Sequence, residues 1–159
     1  MNGTRLRDAR DGDEALILRF IRELADYEKM LDQVRATEQM LHAALFGPQP
    51  RAEALIAEAA GDAVGFALWH YTFSTFEGTP SLYVEDVYVR AAHRGSGIGL
   101  AIFRDLARRA LAQGCRRMDW SVLDWNAPAI AFYDRIGARP VRGWTLQRLT
   151  SDALAQLAS

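Results

Sequence analysis

The chain has 159 residues, half of them hydrophobic and a quarter charged, with a formal net charge of −1. That length suits one domain with a real core, spanning 1–159, and the near-neutral balance excludes bulk attraction to nucleic acid or an anionic membrane. A single cysteine, Cys115, excludes an internal disulfide, no apolar run reaches membrane-spanning length, and the N-terminus has no signal-peptide core, so the expected location is cytoplasmic.

Residues 4–9 alternate in polarity and predict a first strand. Asp11 is the expected cap of the next helix, with Asp13 and Glu14 in its first turn. Leu16, Phe20, Ile21, Leu24, Tyr27 and Leu31 then recur at helical spacing and predict one apolar face. Thr37 caps a second helix carrying Met40, Leu41, Ala44 and Leu45, stopped by Gly47 and Pro48, with His42 on its surface. Residues 53–59 and 63–73 read as a hairpin turning at Gly61-Asp62. Val64, Phe66, Leu68 and His70 are expected on one face, opposite Ala67, Trp69 and Tyr71, which makes His70 a structural histidine. A polar loop over 74–80 leads into a strand over 81–89.

Past that strand stands Arg94-Gly95-Ser96-Gly97-Ile98-Gly99, opening a helix from about Gly97 to Gln113. Such a loop offers bare backbone N–H groups at the positive end of a helix, where phosphate binds, and glycine lets an anion approach closely. No Lys-Ser or Lys-Thr follows, which excludes a Walker A loop, and the spacing fits a dinucleotide fingerprint poorly. On these residues alone a ligand-free glycine-rich cap stays open. Gly114 ends the helix, Cys115 reads as a buried inert thiol, and 116–123 predict a strand with Met118, Trp120 and Val122 on one face. Asn126 caps a short helix with Pro128 in its first turn, and Gly137 closes it. Residues 144–150 predict a last strand, and Ser151 caps a helical turn over 152–157. The three histidines form no metal site at ligand spacing.

The loop resembles the acyl-CoA pyrophosphate loop of the GNAT superfamily of N-acetyltransferases. Leu82-Tyr83-Val84-Glu85-Asp86-Val87-Tyr88-Val89 is similar to the strand before that loop in the spermidine/spermine, diamine and thialysine branch. Trp125-Asn126 through Phe132-Tyr133 to Gly137-Ala138 resembles the C-terminal signature of the same branch, as does Glu23-Leu24-Ala25-Asp26-Tyr27-Glu28 near the start.

The resemblance implies an α+β fold of the α/β/α GNAT type. Its mixed, mostly antiparallel sheet of six to seven strands has a β-bulge and splayed central strands, and about four helices flank it. It implies acetyl-CoA as cosubstrate and a primary amine of a small molecule as acceptor. Protein N-terminal or lysine acetylation, and a non-catalytic CoA-binding module, are the alternatives. The backbone of Val87, Tyr88 and Val89 would pair with the pantetheine arm, an amide near Val87 would polarise the thioester, and Arg94, Gly95, Ser96, Gly97, Ile98, Gly99 and Leu100 would hold the pyrophosphate. Asn126, Pro128, Ala129 and Tyr133 complete the cofactor side, with Tyr133 as general acid. Glu85 accepts the amine proton. Simple alternation puts Asp86 on the opposite face of the strand, satisfying backbone groups. Tyr27, Glu28, Arg142 and Trp144 border the acceptor. Polyamine-specific members carry an acidic residue where this chain has Arg142 and an aspartate in the loop matching 74–77, so a shorter or amino-acid-like amine such as thialysine is expected, with Glu77 as a compensating carboxylate. The branch also implies a homodimer.

Overall fold

The computed structural model describes residues 3–159 and divides after Leu123 into two units. The first holds β1 (Arg5–Asp8), α1 (Glu14–Tyr27), α2 (Glu38–Phe46), β2 (Glu53–Ala59), β3 (Asp62–Ser74), β4 (Thr79–Val89), α3 (Ile98–Ala112) and β5 (Met118–Asp119). Its sheet runs β1-β2-β3-β4-β5, antiparallel except for the parallel pair β4 and β5. Each face of the sheet is covered. Ile17 and Phe20 of α1 and Leu41 and Leu45 of α2 pack on Ile56, Phe66 and Leu68. Ile98, Ile102, Leu106 and Ala110 of α3 pack on Leu55, Ala67, Trp69, Leu82 and Val84. Each such fully buried side chain contributes about 1.5–3 kcal/mol.

Two β-bulges set which residues face which layer. Gly65 pairs with Ala57 but Ala63 with Glu58, so Val64 is an extra residue in β3. It therefore joins the α3 side, away from Phe66 and Leu68, contrary to simple alternation. The second bulge is in β4: Asp86 pairs with Leu68 and Val84 with Trp69, leaving Glu85 extra. Val84 and Val87 both pack toward α3, so Glu85 and Asp86 together turn toward the α1 side. The expectation that they diverge fails for this reason.

Beside this bulge the sheet opens. β4 pairs with β5 only at Leu82–Met118 and Tyr83–Asp119. Among the described residues no strand meets that edge of β4 over 84–89. A bulge sharpens the local twist, which carries β4 away from β5 and cuts the strand expected over 116–123 to two residues. Trp120 still packs against Phe103, ring centroids 4.9 Å apart, whereas Val122 is exposed.

Smaller departures have local causes. The N-cap of α1 is Asp13 rather than Asp11, and its carboxylate is held by Arg7 and the Arg10 amide instead of a helix amide. Leu31 lies in an exposed 3₁₀ turn past the end of α1, off the apolar face, because the chain reverses at Lys29 with φ 60°. The exposed Met40 also leaves the face assigned to α2, although Thr37 caps that helix as expected, accepting from Met40 N at 3.2 Å. The hairpin turns at Ala60 and Gly61 (φ 52° and 89°), since Asp62 already pairs with Ala59.

The second unit contains α4 (Ala127–Arg135) and α5 (Ser151–Ala158). Asn126 caps α4 through Oδ1, which accepts from Ala129 N at 3.4 Å, and Gly137 with φ 94° follows it. Thr150, not Ser151, occupies the N-cap of α5. The strand expected over 144–150 is absent among the described residues, and Trp144, Leu146 and Leu149 are exposed. The described sheet thus has five strands rather than six or seven, and five α-helices rather than about four.

Candidate active site

The glycine loop is built as an anion cradle. Gly95 and Gly97 take φ of 76° and 88°, conformations that favour residues without Cβ. Gly97 is the N-cap of α3 and no side chain caps it, so the first amides of a 15-residue helix stay open to a ligand. Ser96 is used internally, its hydroxyl donating to the His93 carbonyl. Arg94 is also anchored: its Nε donates to Val89 O at 2.8 Å, and its guanidinium lies 4.7 Å from the Tyr27 ring centre and 5.6 Å from that of Tyr88. The cation therefore ties the loop to the end of α1 rather than hanging over it.

The end of β4 is held to α1 a second time. Arg90 forms a two-pronged pair with Glu23 at 2.8 and 3.0 Å, and its guanidinium covers Phe20 at 5.0 Å. These contacts set Tyr27, the last residue of α1, and Glu28 after it near the bulged strand. Val87 and Val89 direct their side chains toward α3, so what they present along the unpaired edge is backbone.

Next to that edge the charges converge. Burial first, then the charges of Glu85 and Glu28, push the Asp86 carboxyl up to about 6. Burial also raises the carboxyl of Glu28. His70 pairs across the strands with Tyr83, their rings 5.2 Å apart, and its Nε2 lies 3.4 Å from Glu85 Oε2. Glu28 and Glu85 thus lie near Asp86, and His70 near Glu85, a concentration of negative charge that suits an ammonium group. Sequence spacing missed Asp86 and His70 here, because only the bulge turns residues 85 and 86 to one side.

The second unit carries its own set. Asn126, Pro128, Ala129 and Tyr133 lie on or before α4, with the Tyr133 ring 5.6 Å from that of Phe132. Arg142 and Trp144 stand exposed in the segment between α4 and α5. Elsewhere, His42 is not the isolated surface histidine expected: its Nδ1 is 2.6 Å from Glu14 Oε1 and 3.4 Å from Asp11 Oδ1. These three side chains bring ligand atoms within 4.8 Å of one another, across a sequence gap that hid the cluster. Glu14 also accepts from Gly12 N at 2.9 Å, and the contact raises the His42 pKa. Cys115 is buried, and burial pushes its thiol up.

Known proteins share both the fold and the sequence pattern. Thialysine N-epsilon-acetyltransferase of Bos taurus is 40% identical over 164 residues, covering 96% of each chain. Spermidine/spermine N(1)-acetyltransferase-like protein 1 of Homo sapiens is 35% identical across 99% of this chain and 24% of its own. The solved integron cassette protein VCH_CASS6 from the mobile metagenome of V. cholerae superimposes with a TM-score of 0.79 at 28% identity, covering 98% of this chain and 97% of its own. The profile described as the Acetyltransferase (GNAT) family matches residues 18–138, so the chain belongs to the GNAT family of acetyltransferases.

Proposed function

We propose that the whole chain, 1–159, works as one acetyltransferase domain that moves an acetyl group from acetyl-CoA to the primary amine of a small, amino-acid-like molecule such as thialysine. The observation that carries this reading is the cluster of Glu28, Glu85 and Asp86 beside the unpaired edge of β4. The residues fit the cosubstrate: an uncapped helix start with two left-handed glycines accepts a diphosphate, and an open strand edge accepts an amide-bearing arm. Gly95, Ser96, Gly97, Ile98, Gly99 and Leu100 would hold the diphosphate through backbone amides, and Val87, Tyr88 and Val89 the arm. Asn126, Pro128 and Ala129 complete that side. Arg94 acts by fixing the loop to Tyr27. Acetyl-CoA supplies the activated thioester.

The remaining chemistry belongs to the side chains. An amine of ordinary pKa near ~10.4 arrives protonated and must lose a proton before it attacks. Glu85 takes that proton, while Asp86 and Glu28 hold the ammonium beforehand. An amide near Val87 polarises the carbonyl. Tyr133 gives its phenolic proton to the departing thiolate. Arg142 meets the acceptor's carboxylate beside Trp144 and disfavours a polycation.

The homodimer that the family resemblance implies belongs to this reading, with the apolar run Val141, Trp144, Leu146, Leu149, Leu154 and Leu157 as the candidate face for a second copy. No helix among the described residues is long and apolar enough to cross a membrane, and we place the enzyme in the cytoplasm. Comparing thialysine, putrescine and spermidine in a thiol-release assay tests the acceptor. Thialysine should be the fastest; a strong preference for spermidine would remove the argument from Arg142.

A further inference from the structure

The residue that this mechanism leaves unused is His70. It sits in β3 opposite Tyr83, and its Nε2 reaches across to the bulged Glu85 at 3.4 Å. Glu85 lies two residues beyond Tyr83, the cross-strand partner of His70, so it shares that face as a diagonal neighbour, and the bulge adds Asp86 to the same side. Tyr83 fixes the imidazole from its own strand: the rings are 5.2 Å apart, and the Tyr83 hydroxyl is itself held at 3.1 Å by Ser121 Oγ. The titratable groups around this pair are Tyr83 and Asp86 on β4 and Glu28 beyond α1.

An acceptor that sits on Glu85 covers the carboxylate it uses, so the collected proton needs another way out. Asp86 and Glu28 are poor exits, because their negative charge is what holds the ammonium. His70 Nε2, 3.4 Å from Glu85 Oε2, belongs to a side chain that can both accept and release a proton.

We propose that His70 is a positioning residue for Glu85, orienting its carboxylate and relaying the proton that it takes from the amine. The inference rests on Glu85 being the base. One N–H bond of the ammonium breaks and an O–H bond forms on Glu85. That proton passes to His70 Nε2, and the resulting imidazolium, which is partly exposed, releases one to solvent. No electrons move beyond these proton transfers, and Glu85 returns to its charged form.

The test is a double-mutant cycle with His70→Gln, Glu85→Gln and the double variant, using acetyl-CoA and the faster of thialysine and putrescine. His70→Gln should lower kcat about tenfold, leave KM for acetyl-CoA unchanged and move the acid limb of the kcat/KM profile. In the Glu85→Gln background the same change should cost less than about twofold, because the partner it acts through is gone. If the two losses multiply, or if His70→Gln keeps the wild-type rate and profile while Glu85→Gln is crippled, the relay is wrong and the base assignment stands. If Glu85→Gln itself keeps the wild-type rate, the base assignment falls and the relay falls with it. His70→Asn, judged by the same criteria, replaces His70→Gln if that variant melts early.

Discussion

Asp86 is held in the fold at an electrostatic cost, and Asp86→Asn should release it. Its carboxyl sits at about 6 against an ordinary 3.8, chiefly because it is buried and then because Glu85 and Glu28 are near. The sign follows directly. The folded protein binds this proton more tightly than the unfolded chain, so the contribution of Asp86 to stability is most favourable below pH 3.8, falls as pH rises toward about 6, and stays reduced above it. The gap corresponds to a ceiling of about 3 kcal/mol. Because relaxation and water penetration around the group reduce that ceiling, about 1–2 kcal/mol is the expected gain, or about 5 °C in Tm for a chain of this size. Thermal and urea unfolding from pH 5 to 8 should show the variant above wild type at pH 8, with the two converging toward acid. A variant no more stable than wild type at pH 8, with the same slope, would refute the reasoning. The same change should raise KM for the amine, since the ammonium loses a counter-charge. In wild type, KM should likewise rise as pH drops through about 6.

Four further outcomes follow, the first from the proposed role of Tyr133 and the rest from the geometry. Tyr133→Phe should reduce kcat by about 10²-fold or more with little change in either KM, measured by thiol release. Gly97→Ala forces a Cβ into φ 88°, and because no atom lies within 4 Å of that Cβ the cost is backbone strain alone. It should lower stability by about 1–2 kcal/mol and raise KM for acetyl-CoA, read by unfolding and steady-state kinetics. Arg94→Ala removes the contact with Tyr27 and Tyr88; calorimetry should show weaker acetyl-CoA binding even though the guanidinium faces the rings. Gly65→Ala would set a Cβ 2.5 Å from Tyr88 O, so it should push β3 from β4 and lower Tm markedly.

What was legible in the sequence was local. Thr37 and Asn126 announce their helices because a cap needs a short polar side chain at one defined position, and each makes its predicted bond. Gly95 and Gly97 announce the loop because few other residues take those dihedrals. What the sequence hid depended on counting across a bulge. Alternation put Asp86 opposite Glu85 and Val64 beside Phe66, yet one extra residue in each strand reverses both. His42 with Glu14, and His70 with Glu85, are partners only through tertiary packing, which no spacing rule encodes. The run over 144–150 has a strand's composition, but composition alone does not decide a strand.

The central claim is that this chain turns acetyl-CoA and a small amine into free CoA and an N-acetyl product. It is tested most directly by following both products, thiol by colour and the acetylated amine by mass, with thialysine as acceptor. The account predicts equal amounts of the two from wild-type protein and a near-complete loss of both with Glu85→Gln. Acetyl-CoA binding with no CoA released across thialysine, putrescine and spermidine would contradict it.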